Sequence, residues 1–133
     1  MVEDAQTAAA REGQDVLAGD VAEVLMAGAR RLVEVAREIA APAFDALDRP
    51  PHLLLVDDDD RIRELLKRYL SQAGARVSAA ADAAGARRLL DSMDFDLLIL
   101  DVMMPVEDGF SLAESVRRTS KVPIVFMTAR GMP

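Results

Sequence analysis

The chain contains no cysteine. Disulfides and thiolate chemistry are therefore excluded, and cysteine usage does not fix a compartment. No run of 18 or more apolar residues occurs, so no transmembrane helix is predicted. The N-terminus lacks the basic start and apolar stretch of a signal peptide, which leaves the cytoplasm as the default expectation. Positive charge is scarce: 16 Lys and Arg stand against 23 Asp and Glu, for a formal charge of −7. That balance argues against a protein held on nucleic acid by phosphate contacts. Internal repeats and low-complexity tracts are also missing. What is present is apolar content of 51% over 133 residues, enough for one compact domain, or a smaller one with an appendage.

The composition changes at "DRPPH", Asp48 to His52. Two consecutive prolines cannot continue a helix and favour an extended connection. Upstream, Asp20 and Glu23 read as an N-cap and its capping-box partner. Val21, Leu25, Gly28, Leu32, Val35 and Ile39 then share one face with heptad-like spacing. This predicts a helix over about residues 21–41, ended or kinked by Pro42, within a helical extension over residues 1–48. Residues 43–47 add a turn that tucks Phe44 and Leu47 inward. The Ala-rich residues before Gly19 read as a marginal helix or a frayed end.

Downstream, short apolar runs alternate with helical patterns. "LLLV" at residues 53–56 is unbroken, as expected of a parallel strand covered on both faces. Ile62, Leu65, Leu66, Tyr69 and Leu70 form a helical stripe that Gly74 stops. A weak strand over residues 75–81 rests mainly on Val77. Asp82 caps a short helix containing Leu89 and Leu90. "DLLIL" at residues 96–100 is the clearest strand and ends at Asp101. Residues 109–119 read as a helix, and "VPIVFM" at residues 122–127 as a last strand ending at Thr128. Such alternation implies right-handed crossovers and a parallel sheet.

In a sheet of this kind the carboxyl ends of the strands gather the ligand-binding residues. The first strand ends on "DDDD", offering Asp57 and Asp58; the third offers Asp101, and the fourth Thr128. If the first and third strands are neighbours, their carboxylates lie a few ångströms apart. Two unit charges ~4 Å apart repel by ~4 kcal/mol at an effective dielectric of about 20. Such a cluster needs a cation or a proton, and an all-oxygen donor set selects a hard divalent ion, Mg2+ first. An Asp beside that ion can be a nucleophile toward phosphorus, and Asp101 is the best placed. Thr128 can donate its hydroxyl to a phosphoryl oxygen. Asp59 reads as an N-cap and Asp60 as a first-turn acid. Met103 and Met104 read as loop and core filler. The Arg-Arg pairs at Arg30, Arg87 and Arg117 read as solvated helix faces. The single histidine, His52, reads as a surface residue.

"LLLVDDDDRIRELLKRYL", "LLILDVMMPVEDG" and "VPIVFMTARG" together resemble the receiver domain of two-component response regulators. The subgroup they are most similar to is the transcription factors with a winged-helix output domain. The resemblance covers residues 51–133. It implies a flavodoxin-like, doubly wound α/β sheet with four strands in the order 2-1-3-4, counted from the strand at residue 53. It implies that Asp58 ligates Mg2+ directly and Asp57 mainly through water. It assigns Asp101 as the acceptor of a phosphoryl group from a sensor histidine kinase, and the Met103 backbone carbonyl as a further metal ligand. Thr128 becomes the switch hydroxyl, and Pro105 and Gly109 the turn residues closing the loop after Asp101.

Two departures stand out. Val106 occupies a position where this family often has Gly. A receiver also continues past this point with a helix, a fifth strand carrying a phosphate-binding Lys, and a last helix. The sequence is therefore read as a truncated receiver, with Arg130 as a partial substitute for that Lys. Its fourth strand is expected to be a sheet edge, with the helix over residues 21–39 covering a bared face or pairing two chains in a homodimer. The expected function is phosphorelay signalling rather than enzymatic turnover, with no direct nucleic-acid or membrane binding by this chain. The alternatives are a receiver remnant that acts only as an interaction module, or a fragment of a transcriptional regulator without a role of its own.

Overall fold

The computed structural model describes residues 44–127 throughout, the backbone of residues 21–25 and 128, and residues 34 and 38. Its elements are β1 (Val21–Leu25), β2 (His52–Val56), α1 (Asp60–Gln72), β3 (Arg76–Ala80), α2 (Ala83–Ser92), β4 (Leu97–Asp101), α3 (Gly109–Arg117) and β5 (Ile124–Thr128). All strands are parallel, in the order β1-β5-β4-β2-β3. The four strands read from the sequence lie side by side in the expected 2-1-3-4 order, here β3-β2-β4-β5.

Burial follows from strand alternation. Leu54, Val56, Leu98, Leu100, Ile124 and Phe126 face one side, against Ala83 and Ala86 of α2 and Leu112, Ala113 and Val116 of α3. Leu53, Leu55, Leu97, Ile99, Val125 and Met127 face the other, against Leu66 and Leu70 of α1. With both faces covered, the strands need apolar residues at every position rather than at alternate ones. Phe44 also packs on the α1 side, and the Leu47 N–H closes its turn on the Phe44 carbonyl at 3.0 Å. Leu65 departs from the predicted stripe and points outward.

Local signals set the helix limits. Asp59 Oδ1 accepts from the Arg61 and Ile62 N–H groups at 2.9 and 3.1 Å, capping α1. Asp82 accepts from the Gly85 N–H at 2.7 Å and caps α2. Asp108 accepts from the Ser111 N–H at 2.8 Å and caps α3. After α1 the chain reverses at Gly74, whose φ of +104° is open to glycine at little cost.

The N-terminal region requires a correction. Residues 21–25 form a strand paired in parallel with β5, not the first turns of a helix. Val21, Val24 and Leu25 suit either element by local propensity; the row of backbone groups offered by β5 decides for the strand. The edge expected at the fourth strand is thus covered by sheet pairing. Helical backbone occurs at Glu34 and Glu38; the predicted stripe positions Gly28, Leu32, Val35 and Ile39 lie outside the described residues.

His52 is a second correction. It is 7% exposed, with Nε2 2.8 Å from the Ser78 hydroxyl and its ring 4.5 Å from that of Phe95. Burial and the nearby Arg76 cation hold its pKa below the ordinary imidazole value. Asp96 accepts the His52 N–H at 2.8 Å and pairs with Arg49, locking the strand start.

Candidate functional site

Val56 lies beside Leu100 in the β2–β4 register, so the residues that follow them, Asp57 and Asp101, emerge level at one end of the sheet. Asp58 follows directly. Carboxylate oxygens of Asp57, Asp58 and Asp101 all lie within 4.8 Å of one another. Asp57 is buried, Asp101 half-buried and Asp58 exposed. Parallel strands ending together bring these groups into one place, although residues 57 and 101 are far apart in sequence.

Backbone N–H groups hold two of the three carboxylates, Asp57 and Asp101. Asp57 Oδ1 accepts the Asp59 N–H at 2.9 Å, and the Asp57 N–H donates to the Ala80 carbonyl at 3.1 Å. The Arg63 guanidinium donates to the Asp57 backbone carbonyl at 2.8 Å and pairs with the Asp60 carboxylate. Asp101 Oδ1 accepts the Met103 N–H at 3.0 Å. Burial pushes the Asp101 carboxyl up to about 7; the Met103 N–H opposes this, and the neighbouring charge of Asp57 adds to it. Burial also raises Asp57, against the Asp59 N–H and with the charges of Asp58 and Asp59. Charges at this spacing repel by roughly 3 kcal/mol per pair at an effective dielectric of about 20. A proton on Asp101 or a bound cation relieves it. With three carboxylates and no nitrogen or sulfur donor, the set fits a hard divalent cation such as Mg2+.

The loop from Asp101 to α3 is tightly drawn back. The Gly109 N–H donates to the Val102 carbonyl at 3.1 Å. A Cβ at Gly109 would lie 2.3 Å from the Asp101 carbonyl oxygen. Arg87 of α2 donates both Nη atoms to Glu107 and reaches the Ser115 hydroxyl at 3.0 Å. Glu107 also accepts from the Ser111 hydroxyl at 3.0 Å. Arg87 is therefore a cross-link between α2, the loop and α3, not the solvated residue expected from its Arg-Arg pair. Charge pattern alone did not reveal this, because the partner lies across a helix–loop boundary.

Met103 is half exposed on this loop, and Met104 is buried. Val106 has φ +72° and a fully exposed side chain. A β-branched residue in the left-handed region costs about 1–2 kcal/mol, and no packing offsets it here. Val106→Gly is expected to stabilise the protein by about 1 kcal/mol, read as a higher denaturant midpoint with unchanged slope. A lower midpoint would show that the side chain contributes something this geometry omits.

Thr128 ends β5 at the same end of the sheet, beside Leu25 in register; its side chain and Arg130 lie outside the described residues. Among the described helices none is long and apolar enough to cross a membrane.

The fold and the acidic cluster together define a class, and comparison with known proteins gives it a name. The response regulator receiver domain model matches residues 53–133; the chain belongs to that family, the receivers of two-component systems. It is 56% identical over 82 residues to Protein PetR of Rhodobacter capsulatus, covering 62% of this chain and 35% of that protein. It is 45% identical over 80 residues to the transcriptional regulatory protein AfsQ1 of Streptomyces coelicolor, covering 60% and 36%. The chain thus spans about a third of the length of these curated relatives. Among solved structures it is similar to the response regulator TrrA of Thermotoga maritima, in complex with Mg2+ and BeF. There the TM-score is 0.58 at 35% identity, covering 61% of this chain and 71% of that one.

Proposed function

We propose that this receiver binds Mg2+ at Asp57, Asp58 and Asp101 and accepts a phosphoryl group on Asp101 from a sensor histidine kinase. The observation that carries the proposal is the convergence of the three carboxylates to within 4.8 Å. Mg2+ would supply charge neutralisation and a seat for phosphoryl oxygens. Asp58, Asp101 and the Met103 carbonyl would hold it directly, with Asp57 acting mainly through water. The described complex of TrrA with Mg2+ and BeF supports such an occupant by family likeness.

In the transfer, an Asp101 carboxylate oxygen forms a bond to phosphorus as the bond from phosphorus to the donor breaks. The electron pair of that bond leaves with the donor, a histidine nitrogen of the kinase or the acetate of acetyl phosphate. The Met103 N–H, 3.0 Å from Asp101 Oδ1, orients the carboxylate for attack. The Thr128 hydroxyl moves toward the new phosphoryl group, and Arg130 lends positive charge. The domain acts once per phosphorylation as a cytoplasmic signal carrier, not as a turnover enzyme.

The test is incubation with Mg2+ and acetyl phosphate followed by intact-mass measurement. One phosphoryl adduct is expected, lost on removing Mg2+ and in Asp101→Asn. No adduct on the wild-type chain, or one that survives Asp101→Asn, overturns the assignment.

A further inference from the structure

Among the described residues Val106 is the only non-glycine residue with positive φ, at +72°. Its side chain is fully exposed, so packing does not keep it there. Backbone of this kind persists only where the surrounding structure leaves it no alternative. The turn is bounded on both sides. Before it, Met104 is buried in the core shared with α2 and α3. After it, Asp108 caps α3 and the Gly109 N–H returns to the Val102 carbonyl. In between, the Glu107 N–H donates to the Pro105 carbonyl at 2.9 Å, a bond internal to the turn. Among the described residues, the only hydrogen bonds from residues 105–107 to another element are those of the Glu107 carboxylate.

Arg87 Nη1 donates to Glu107 Oε1, and Nη2 to Oε2 at 2.6 Å. A planar fork on a planar carboxylate fixes direction as well as distance. Nη2 also donates to the Ser115 hydroxyl at 3.0 Å, whose own proton goes to the Leu112 carbonyl at 2.8 Å. Arg87 is thereby anchored on α3 as well as on the loop. The Ser111 hydroxyl donates to Glu107 Oε2 at 3.0 Å and holds the carboxylate from the other side. The Arg87 and Glu107 side chains are 42% and 23% exposed, so solvent screens their attraction and the pair adds little to overall stability. Its effect is on geometry. The loop it pins carries the Met103 N–H that bonds Asp101 Oδ1 at 3.0 Å and the Gly109 N–H that bonds Val102 at 3.1 Å.

We propose that Arg87 is a positioning residue: through Glu107 it holds Val106 in the left-handed conformation, and with it the loop that orients the Asp101 carboxylate. The effect on rate rests on the reading of Asp101 as phosphoacceptor; on that reading α2 sets the speed of phosphoryl acceptance through Glu107.

On the full chain, acetyl phosphate with Mg2+ reads the rate and amide hydrogen exchange reads the loop. Well below their melting temperatures, Arg87→Met and Glu107→Ala should each slow the adduct about fivefold, and the double variant no further, because the two side chains act as one unit. Exchange of the Met103 and Gly109 amides should rise about tenfold while the Leu66 amide in α1 keeps its protection. Glycine adopts the left-handed turn unaided, so in the Val106→Gly background Arg87→Met should cost less than about twofold in rate. Arg87→Lys keeps the charge without the fork and should behave as Arg87→Met. Equal rate losses with and without Val106→Gly overturn the role, as do wild-type rates in both single variants or protection lost alike at Leu66. A wild-type rate in Arg87→Lys overturns it too, since charge without the fork would then suffice. If the wild-type chain takes no phosphoryl group, the acceptor reading fails and exchange decides the role of Arg87 alone. Faster exchange at Met103 and Gly109 in Arg87→Met, reversed by Val106→Gly, then supports it, and unchanged exchange overturns it.

Discussion

Asp101→Asn is expected to make the metal-free protein more stable at pH 8 while abolishing its phosphoryl adduct. The Asp101 carboxyl is pushed up to about 7 in the folded state, against about 3.9 in an unfolded chain. Between those values the folded state holds a proton that the unfolded state has released. Stability therefore falls as pH rises from about 4 to about 7 and levels off above, where Asp101 is charged beside Asp57 and Asp58. Three pKa units correspond to ~4 kcal/mol, but the carboxyl is only half-buried, and solvent screening cuts this to about 1–2 kcal/mol. Asn cannot ionise and escapes the loss. Its advantage should be absent below about pH 4 and reach roughly 5 °C in melting temperature at pH 8. Mg2+ should raise the wild-type melting temperature more at pH 8 than at pH 5, where the proton competes with the ion, and should raise that of Asp101→Asn less. Thermal melts across this pH range with and without Mg2+ decide the matter. A variant less stable than wild type at pH 8 would mean that the carboxylates do not repel as their spacing implies.

The core of the fold is legible because parallel strands buried on both faces write themselves as unbroken apolar runs. "LLLV" and "DLLIL" leave little choice of element, and Asp59, Asp82 and Gly74 mark helix limits with residues that have a local physical reason to be there. The acidic cluster is legible for the same reason: an acid directly after such a run must emerge at the sheet's carboxyl end. β1 is not legible. Its five residues fit a strand as well as the opening of an amphipathic helix, and the partner that decides the question lies about a hundred residues downstream. His52 and Arg87 fail in the same way. The burial of His52 comes from Ser78 and Phe95, and the role of Arg87 from Glu107 and Ser115. These contacts exist only once the sheet has assembled, so no local pattern announces them. The division of burial within the acidic pair is equally a tertiary fact: Asp57 turns inward, to the Asp59 N–H, while Asp58 faces solvent.

Gly109→Ala is expected to be the most damaging single methyl addition in the described part of the chain. The new Cβ would meet the Asp101 carbonyl oxygen at 2.3 Å, its carbonyl carbon at 3.0 Å and Val102 Cα at 3.2 Å. All three are backbone atoms of the strand end that carries the proposed phosphoacceptor, so no side-chain rotation relieves the clash. Either α3 withdraws, breaking the Gly109 N–H bond to Val102, or the strand end shifts and takes the Asp101 carboxylate with it. Overpacking of this kind costs about 2–4 kcal/mol, roughly 10 °C in a domain of this size. Two other glycines calibrate the result. Gly85→Ala meets side-chain atoms alone, the Asp82 carboxylate oxygen at 3.1 Å, the Ala80 Cβ at 3.4 Å and an Arg88 Nη at 3.7 Å, so its effect should be small. Gly74→Ala meets nothing within 4 Å and should cost only the left-handed backbone penalty, about 1 kcal/mol. Phosphorylation separates the three further. Below its own melting temperature Gly109→Ala should form the acetyl phosphate adduct at least about tenfold more slowly than wild type, since misplacing a reacting group by an ångström costs one to two orders of magnitude. Gly85→Ala and Gly74→Ala should react at the wild-type rate. If Gly109→Ala melts and reacts like Gly74→Ala, the return of the loop beneath Asp101 does not position the carboxylate.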